Sequence, residues 1–225
     1  MHLKIIYSTF MTRALRDPLK YQRAVLALSE RLKSSRKRSE TDELFRELNQ
    51  KYGSEDAGLF ALYFFNLVHL QSGEAVFLKA GVPHAYVKGN IIECMANSDN
   101  VVRAGLTPKF KDVETLTDIL TYEMGEILLY KRYDSQNEML FNPPVDDFAV
   151  KHIYMEPDEE YAVENNSSPD IMLVTQGQVE IMWGCDSKLK MRQGDAVFIP
   201  PKMKKYRIQS EHSTAQCFIA CVLRN

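Results

Sequence analysis

Apolar and polar positions along the chain follow a helical period up to about residue 70 and a strand period after it. Asp17-Pro18 predicts a helix start, since the aspartate can cap the helix and proline suits its first position. An apolar stripe at spacings of four, three and four then follows, formed by Tyr21, Val25, Leu28 and Leu32. The pattern therefore predicts an amphipathic helix at the beginning of the chain.

Two more helices are expected before residue 70. One begins near Ser39 or Thr41 and stops before Gly53, where glycine suits a helix end. The next runs from about Asp56 to Asn66 and is apolar nearly all round, which is typical of a helix that is buried on more than one side. Residues 1–70 are thus predicted to form a helical unit that docks on another part of the protein.

From Gly73 the apolar runs become short and are separated by turn residues, which is typical of strands. The first strands are expected at Ala75–Leu78, Ala85–Val87 and Ile91–Met95. Asp112 is expected to cap a short helix over residues 113–120, and residues 126–133 have no clear preference. A second group of strands is then predicted at Phe148–Met155, Ile171–Thr175, Gln178–Trp183, Ala196–Ile199, Tyr206–Gln209 and Gln216–Leu223.

Glycine turns separate several strands of the second group. Gly177 and Gly194-Asp195 each stand between two apolar runs. Turns of this kind commonly join antiparallel neighbours. We therefore predict that the strands joined by these turns pair with each other in a meander or Greek key.

Composition excludes several classes of function. The chain has 225 residues, 26% of them charged, and a net charge of −2, which gives no electrostatic case for binding nucleic acid or an anionic membrane. No apolar run reaches the roughly 18 residues of a membrane helix. The basic run Lys33–Arg38 is interpreted as a solvated loop. The four cysteines form no CxxC pair and lie in apolar contexts, so free buried thiols in a reducing compartment are expected, which favours the cytoplasm.

Candidate chemistry is concentrated between residues 84 and 103. His84 follows the turn Gly81-Val82-Pro83, and Glu93, Asp99 and Arg103 follow within twenty residues of it. An imidazole, two carboxylates and a guanidinium in the mouth of a small β-barrel would suit metal-assisted chemistry on a small polar substrate. The alternatives are a hydrogen-bonded core role for His84, an outward strand position for Glu93 and a structural ion pair between Arg103 and Asp99.

Two stretches share a glycine-acid turn, a strand and a second turn. Gly73-Glu74 is followed by five residues and Ala80, and Gly194-Asp195 by four residues and Pro200. Both resemble the signature of cupin jelly rolls. The resemblance implies a mainly β fold with α-helices: two cupin-type barrels, one partial and one C-terminal, plus an inserted helical unit. The expected domains are residues 1–70, residues 71–146 with the short helix 113–120, and residues 147–225.

A longer stretch resembles one family almost residue for residue. Residues 73–113 contain three runs of this kind: Pro83-His84-Ala85-Tyr86, Glu93-Cys94-Met95-Ala96 and Ser98-Asp99-Asn100-Val101-Val102-Arg103-Ala104-Gly105-Leu106-Thr107-Pro108-Lys109. They are similar to type I mannose-6-phosphate isomerases. That family implies zinc-dependent aldose–ketose isomerisation of mannose 6-phosphate and fructose 6-phosphate through an enediol, in mannose and GDP-mannose metabolism.

The resemblance also implies a role for each of five residues. His84 matches the last zinc ligand of the family and Arg103 its active-site arginine. Glu93 matches a carboxylate proposed to move the proton. Tyr86 and Asp99 match residues that line the same cavity and contact substrate. The implied partner is a small-molecule sugar phosphate, and the implied state is a monomer with one Zn²⁺ per intact enzyme.

The chain departs from the family at the other zinc ligands. These are a glutamine and a histidine in a Ser-Ile-Gln-Val-His-Pro run, and a glutamate after a Lys-Pro pair, and neither run occurs here. We therefore expect an incomplete zinc site and a truncated form of the isomerase that is fully active only with the missing half. The alternative functions are a catalytically dead cupin that binds a sugar phosphate or regulates an intact isomerase, and a storage or scaffold cupin.

Overall fold

The structure is a computed structural model that describes residues 2–125, 127–130, 137–165 and 167–223. The chain divides into two compact units. The helical unit comprises Met1–Leu70, Leu78–Val87 and Ser98–Ile127, and the sheet unit comprises Gln71–Phe77, Lys88–Asn97 and Leu128–Asn225. The fold is mainly β-sheet with some helices. The domain limits expected from the sequence remain a prediction.

Five helices form the framework of the helical unit. They are α1 (His2–Arg16), α2 (Pro18–Ser34), α3 (Glu40–Tyr52), α4 (Gly58–Ala61), which runs on into a 3-10 turn at Leu62–Phe64, and α5 (Val113–Ile119). The predicted cap of α2 is confirmed, because Asp17 accepts the N–H of Lys20 at 3.1 Å. Ser39 and Asp42 cap α3 reciprocally, and Asp112 accepts the N–H of Thr115 at the start of α5. Local side chains thus fix three helix starts.

The core of the helical unit is built from one face of each longer helix. The predicted α2 stripe is confirmed, since all four of its residues are buried. Met11, Val25, Phe45 and Leu59 are fully enclosed. The third helix predicted over about residues 56–66 is only partly confirmed: the helical residues are those of α4 and its 3-10 turn. Its predicted burial on several sides is wrong, because Tyr63 and Phe64 are 43% and 37% exposed.

Eleven strands are present in the described part of the chain. They are β1 (Ala75–Val76), β2 (Leu129–Tyr130), β3 (Glu138–Phe141), β4 (Ala149–Met155), β5 (Glu160–Glu164), β6 (Asp170–Gln176), β7 (Gln178–Trp183), β8 (Ser187–Arg192), β9 (Ala196–Ile199), β10 (Lys205–Ser210) and β11 (Ala215–Cys221). One sheet has the order β3-β4-β11-β6-β9 and another the order β5-β10-β7-β8, while β1 pairs with β2. The pairings within these sheets are antiparallel.

The core of the sheet unit lies between the two larger sheets. Buried positions alternate with half-buried ones along β11, as expected for a strand with one face on a core. Ile153 and Met172 from the five-stranded sheet belong to the same buried cluster as Val179 and Ile208 from the four-stranded sheet. The six strands predicted after residue 147 are confirmed within two residues at either end, whereas β3, β5 and β8 were not predicted.

The predicted antiparallel pairing is confirmed within the described sheets, but the strands that the glycine turns join do not pair with each other. Gly177 joins β6 to β7, and Gly194-Asp195 joins β8 to β9, but each turn connects strands of different sheets. Gly177 has a positive φ of 75°, and a Cβ there would lie 2.4 Å from the carbonyl oxygen of Thr214. The glycine signal therefore marked a tight backbone turn correctly, but it did not specify which strands pair.

The early strands are also largely absent from the described residues. Only Ala75–Val76 of the first predicted strand forms a strand, and no strand forms at 85–87 or 91–95. A strand needs a neighbour for its backbone hydrogen bonds, and the described ladder here joins only Ala75 to Tyr130 and Val76 to Leu129. Of the ambiguous segment 126–133, β2 is described, whereas residues 126 and 131–133 lie outside the described residues.

The cysteines are free thiols, as expected, but not all of them are buried. All four are free. Cys217 and Cys221 are buried, and burial raises their pKa values to about 12 and about 11. Cys185 is exposed, so the prediction of uniformly buried thiols is wrong there. Within the described residues, no helix is both long and apolar enough to cross a membrane.

Asp170 is a buried acid at the start of β6 and is only 4% exposed. Ser168 Oγ donates to its Oδ1 at 3.2 Å. Burial raises the pKa of Asp170, while Ser168 and the Lys151 ammonium oppose the rise. A raised pKa in the folded state means that ionisation destabilises the fold, and the loss grows as pH rises through the unfolded pKa towards the folded one.

We predict that Asp170→Asn stabilises the sheet unit at pH 7, because the amide keeps an acceptor for Ser168 without the buried charge. The advantage should vanish below the carboxyl's unfolded pKa of about 3.9. Thermal unfolding of the wild-type protein and of Asp170→Asn between pH 3 and pH 7 measures this difference in stability. An Asn variant that is less stable by the same amount at every pH would show that the hydrogen bonds of Asp170, and not its charge, determine the effect.

Candidate functional site

His84 lies in an irregular segment of the helical unit and is exposed. Its Nδ1 is 2.9 Å from the carbonyl oxygen of Val82. If Nδ1 donates in this contact, the lone pair of Nε2 is left to accept a proton or to ligate a metal, which is the usual orientation of a ligating histidine. The ring of Tyr86 lies 5.7 Å from that of His84, between centroids. The structure therefore brings together two of the five predicted site residues.

The other three predicted residues are exposed. Asp99 and Arg103 belong to the helical unit, as His84 and Tyr86 do, whereas Glu93 belongs to the sheet unit. A cavity shared by all five residues stays a prediction. The exposure of Glu93 does not provide the partial burial that would favour a catalytic base at neutral pH.

The loop that carries Arg103 is held by a residue that the sequence did not mark as part of the site. Asp56 Oδ1 accepts the N–H groups of Gly58 and Leu106, both at 2.7 Å. Its Oδ2 lies 3.3 Å from the N–H of Thr107 and 3.6 Å from Lys111 Nζ. The Asp56 side chain is 6% exposed. A buried carboxylate is tolerated because donors and a cation surround it.

The loop also packs backbone to backbone against the start of α4. A Cβ built on Gly105 would lie 2.5 Å from both Cα and N of Gly58. Leu106 follows with φ at +54°, a left-handed conformation that non-glycine residues seldom adopt. Such strain persists where surrounding contacts fix it. The Asp56 hydrogen bond to the Leu106 amide is such a contact.

The described residues do not by themselves fit a zinc site. Among them, no three His, Cys, Asp or Glu side chains are grouped so that they could hold a metal ion. Catalytic zinc uses about three protein ligands, and His84 offers one imidazole, whose Nδ1 contacts the Val82 carbonyl. Zinc binding at His84 would therefore require additional ligands that the described residues do not place around it.

Comparison with known proteins gives one consistent class. The model of the family described as "Phosphomannose isomerase type I C-terminal" matches residues 139–186. Mannose-6-phosphate isomerase of Schizosaccharomyces pombe is 43% identical over 143 residues, which are 60% of this chain and 34% of that protein. The probable mannose-6-phosphate isomerase of Dictyostelium discoideum is 39% identical over 196 residues, or 83% of this chain and 43% of that protein.

A solved structure agrees with the sequence matches. Mannose 6-phosphate isomerase from Salmonella typhimurium, bound to its substrate and to a zinc atom, superposes with a TM-score of 0.74 at 30% identity. The match covers 90% of this chain and 50% of that one. The chain is thus related to a class of sugar-phosphate isomerases. Within that class, the matches support a type I phosphomannose isomerase. The chain spans between a third and a half of the length of these relatives.

We predict that Gly105→Ala destabilises the helical unit by about 1–3 kcal/mol, because its Cβ would meet backbone atoms that cannot rotate away. Gly184→Ala is the matched control. Gly184 has φ at +63°, and a Cβ built there meets nothing within 4 Å, so alanine adds left-handed backbone strain of about 1 kcal/mol and no clash. Urea unfolding of both variants compares them. Equal losses would contradict the proposed close contact of Gly105 with Gly58.

Proposed function

We propose that the protein acts in the reversible isomerisation of mannose 6-phosphate and fructose 6-phosphate. The observation that carries the proposal is the similarity of 90% of the chain to an isomerase structure that holds its substrate and zinc. The run from Arg103 to Thr107 supports it further: Asp56 anchors the backbone of this loop at Leu106 and Thr107, and a guanidinium on the loop suits an anionic substrate.

In the proposed reaction, the Glu93 carboxylate removes the C2 proton of the open-chain aldose and returns it to C1. A proton moves from the C2 hydroxyl to the C1 oxygen, so that the aldehyde becomes a hydroxymethyl group and C2 becomes a ketone. Arg103 would stabilise the negative charge that develops on the enediol oxygens or bind the phosphate. Tyr86 and Asp99 would contact the sugar.

The proposal includes a cofactor, a fold and a location. Zinc, when bound, would polarise the sugar oxygens next to the reacting carbons, and His84 would be one of its ligands. The two larger sheets are interpreted as a C-terminal cupin barrel, and the α-helices as the inserted unit of the family. The protein would be a monomer that works on a small sugar phosphate in the cytoplasm, in GDP-mannose biosynthesis, and the free cysteines fit a reducing compartment.

The test is turnover of mannose 6-phosphate by the purified protein with Zn²⁺ in the buffer, together with Arg103→Ala. Removal of a group that stabilises developing charge should lower kcat by about 10²–10³ and leave the melting temperature unchanged, because Arg103 is exposed. Arg207→Ala is the control, since Arg207 pairs with Glu160 on the surface of the sheet unit. It should retain wild-type turnover.

Two outcomes contradict the proposal. Wild-type protein that binds mannose 6-phosphate in calorimetry without turning it over would favour the alternative function, a sugar-phosphate-binding cupin without catalysis. An Arg103→Ala variant that unfolds would assign Arg103 a structural role.

A further inference from the structure

We infer that Asp56 is a positioning residue for Arg103: its buried carboxylate fixes the loop from which the guanidinium projects. This inference rests on the proposed role of Arg103 in the isomerase site. Asp56 and the loop both belong to the helical unit, and the residues they join are 50 and 51 positions apart in sequence.

The first argument is the direction of the hydrogen bonds. Two of the three amides that point at Asp56 belong to the loop, at Leu106 and Thr107. The third belongs to Gly58, two residues from Asp56 itself. A carboxylate that accepts amides from both segments joins them through charge-assisted bonds, which are about twice as strong as neutral ones. Loss of the carboxylate would leave all three amides without this acceptor.

The second argument is proximity along the backbone. Arg103 is two peptide units from Gly105, so their Cα atoms lie at most about 7 Å apart. Gly105 is the residue pressed against Gly58, and Leu106 is the residue with positive φ. A shift of this turn therefore moves the Arg103 backbone directly, and a misplacement of about 1 Å is enough to lower turnover substantially.

The third argument is the charge balance around the carboxylate. Lys111 Nζ donates to the carbonyl oxygen of Thr107 at 2.8 Å and lies 3.6 Å from Asp56 Oδ2. The ammonium thus contacts the loop and the carboxylate together. Its side chain is 21% exposed, so solvent screens the pair only in part. Asp56 therefore contacts both ends of the 106–111 segment, through the amides of Leu106 and Thr107 and through the Lys111 ammonium.

The experiment measures the rate at which phenylglyoxal labels each arginine, by peptide mass spectrometry, in wild-type protein and variants. Arg103 is exposed and hence open to the reagent. Asp56→Ala should raise the rate at which phenylglyoxal labels Arg103 by about threefold or more, because the turn loses its anchor and opens locally. Asp56→Asn keeps Oδ1 for two amides but loses the acceptor for Thr107 and the charge facing Lys111, so it should change the Arg103 rate less than Asp56→Ala does.

Asp42→Ala is the matched control. Asp42 also accepts a backbone N–H, from Ser39, and a hydroxyl, from Tyr63, in the same unit, and neither partner belongs to the loop. It should lower stability without changing the Arg103 rate. An unchanged Arg103 rate in Asp56→Ala, or an equal change in Asp42→Ala, would overturn the inference.

Turnover gives the second readout. Asp56→Ala should lower kcat about 10–100-fold with a smaller change in KM, and it should add no further loss once Arg103 is alanine. Additive losses in the double variant would overturn the positioning role. If Asp56→Ala does not fold, Asp56→Glu replaces it, since it keeps the charge for Lys111 but moves the oxygens. Its Arg103 rate should still change, and a wild-type rate would count against the inference.

The labelling readout separates this inference from the proposed activity. Wild-type protein without turnover would refute the isomerase proposal, while the Arg103 rates would still decide whether Asp56 fixes the loop. An active enzyme with Arg103 labelling independent of Asp56 would refute the positioning role and leave the isomerase proposal intact.

Discussion

A buried carboxylate is the constraint that holds the loop after Arg103 against α4 in the helical unit. Burial of a charge is unfavourable unless donors replace water around it, and at Asp56 those donors come from α4 and from the loop at 106–107. The donors can reach the carboxylate because Gly58 and Gly105 allow the two backbones to touch. The loop that follows Arg103 is thus held by a contact with a residue about fifty positions away in sequence.

The sequence predicted what local physical chemistry determines. Helix starts at Pro18, Glu40 and Val113 follow from a capping side chain next to an apolar stripe, and the strands after residue 147 follow from apolar runs between turns. The strand partners were not predictable in this way. A glycine at positive φ, such as Gly177, determines how sharply the chain turns, but the packing of two sheets determines whether the next strand stays in the same sheet.

The residues of the candidate site also differ in whether the sequence alone could predict them. His84, Glu93 and Arg103 could be selected from a run of residues that is similar to one enzyme family, because that run is continuous in sequence. Asp56 could be predicted only as a helix-start acid, since its main partners lie 50 positions away and no local pattern links them. The strands expected around His84 failed for a related reason: a strand is defined by a neighbour, and the described residues supply one for Ala75–Val76 alone.

Relatives and a substrate-bound structure place the chain beside type I phosphomannose isomerases over most of its own length. The role of Asp56 is measured most directly by amide hydrogen exchange at Leu106, compared between wild-type protein and Asp56→Ala under conditions that give both the same global stability. Exchange at Leu106 and Gly58 should be slow in the wild-type protein and fast in the variant, with α2 unchanged. Fast exchange at Leu106 in the wild-type protein would contradict it.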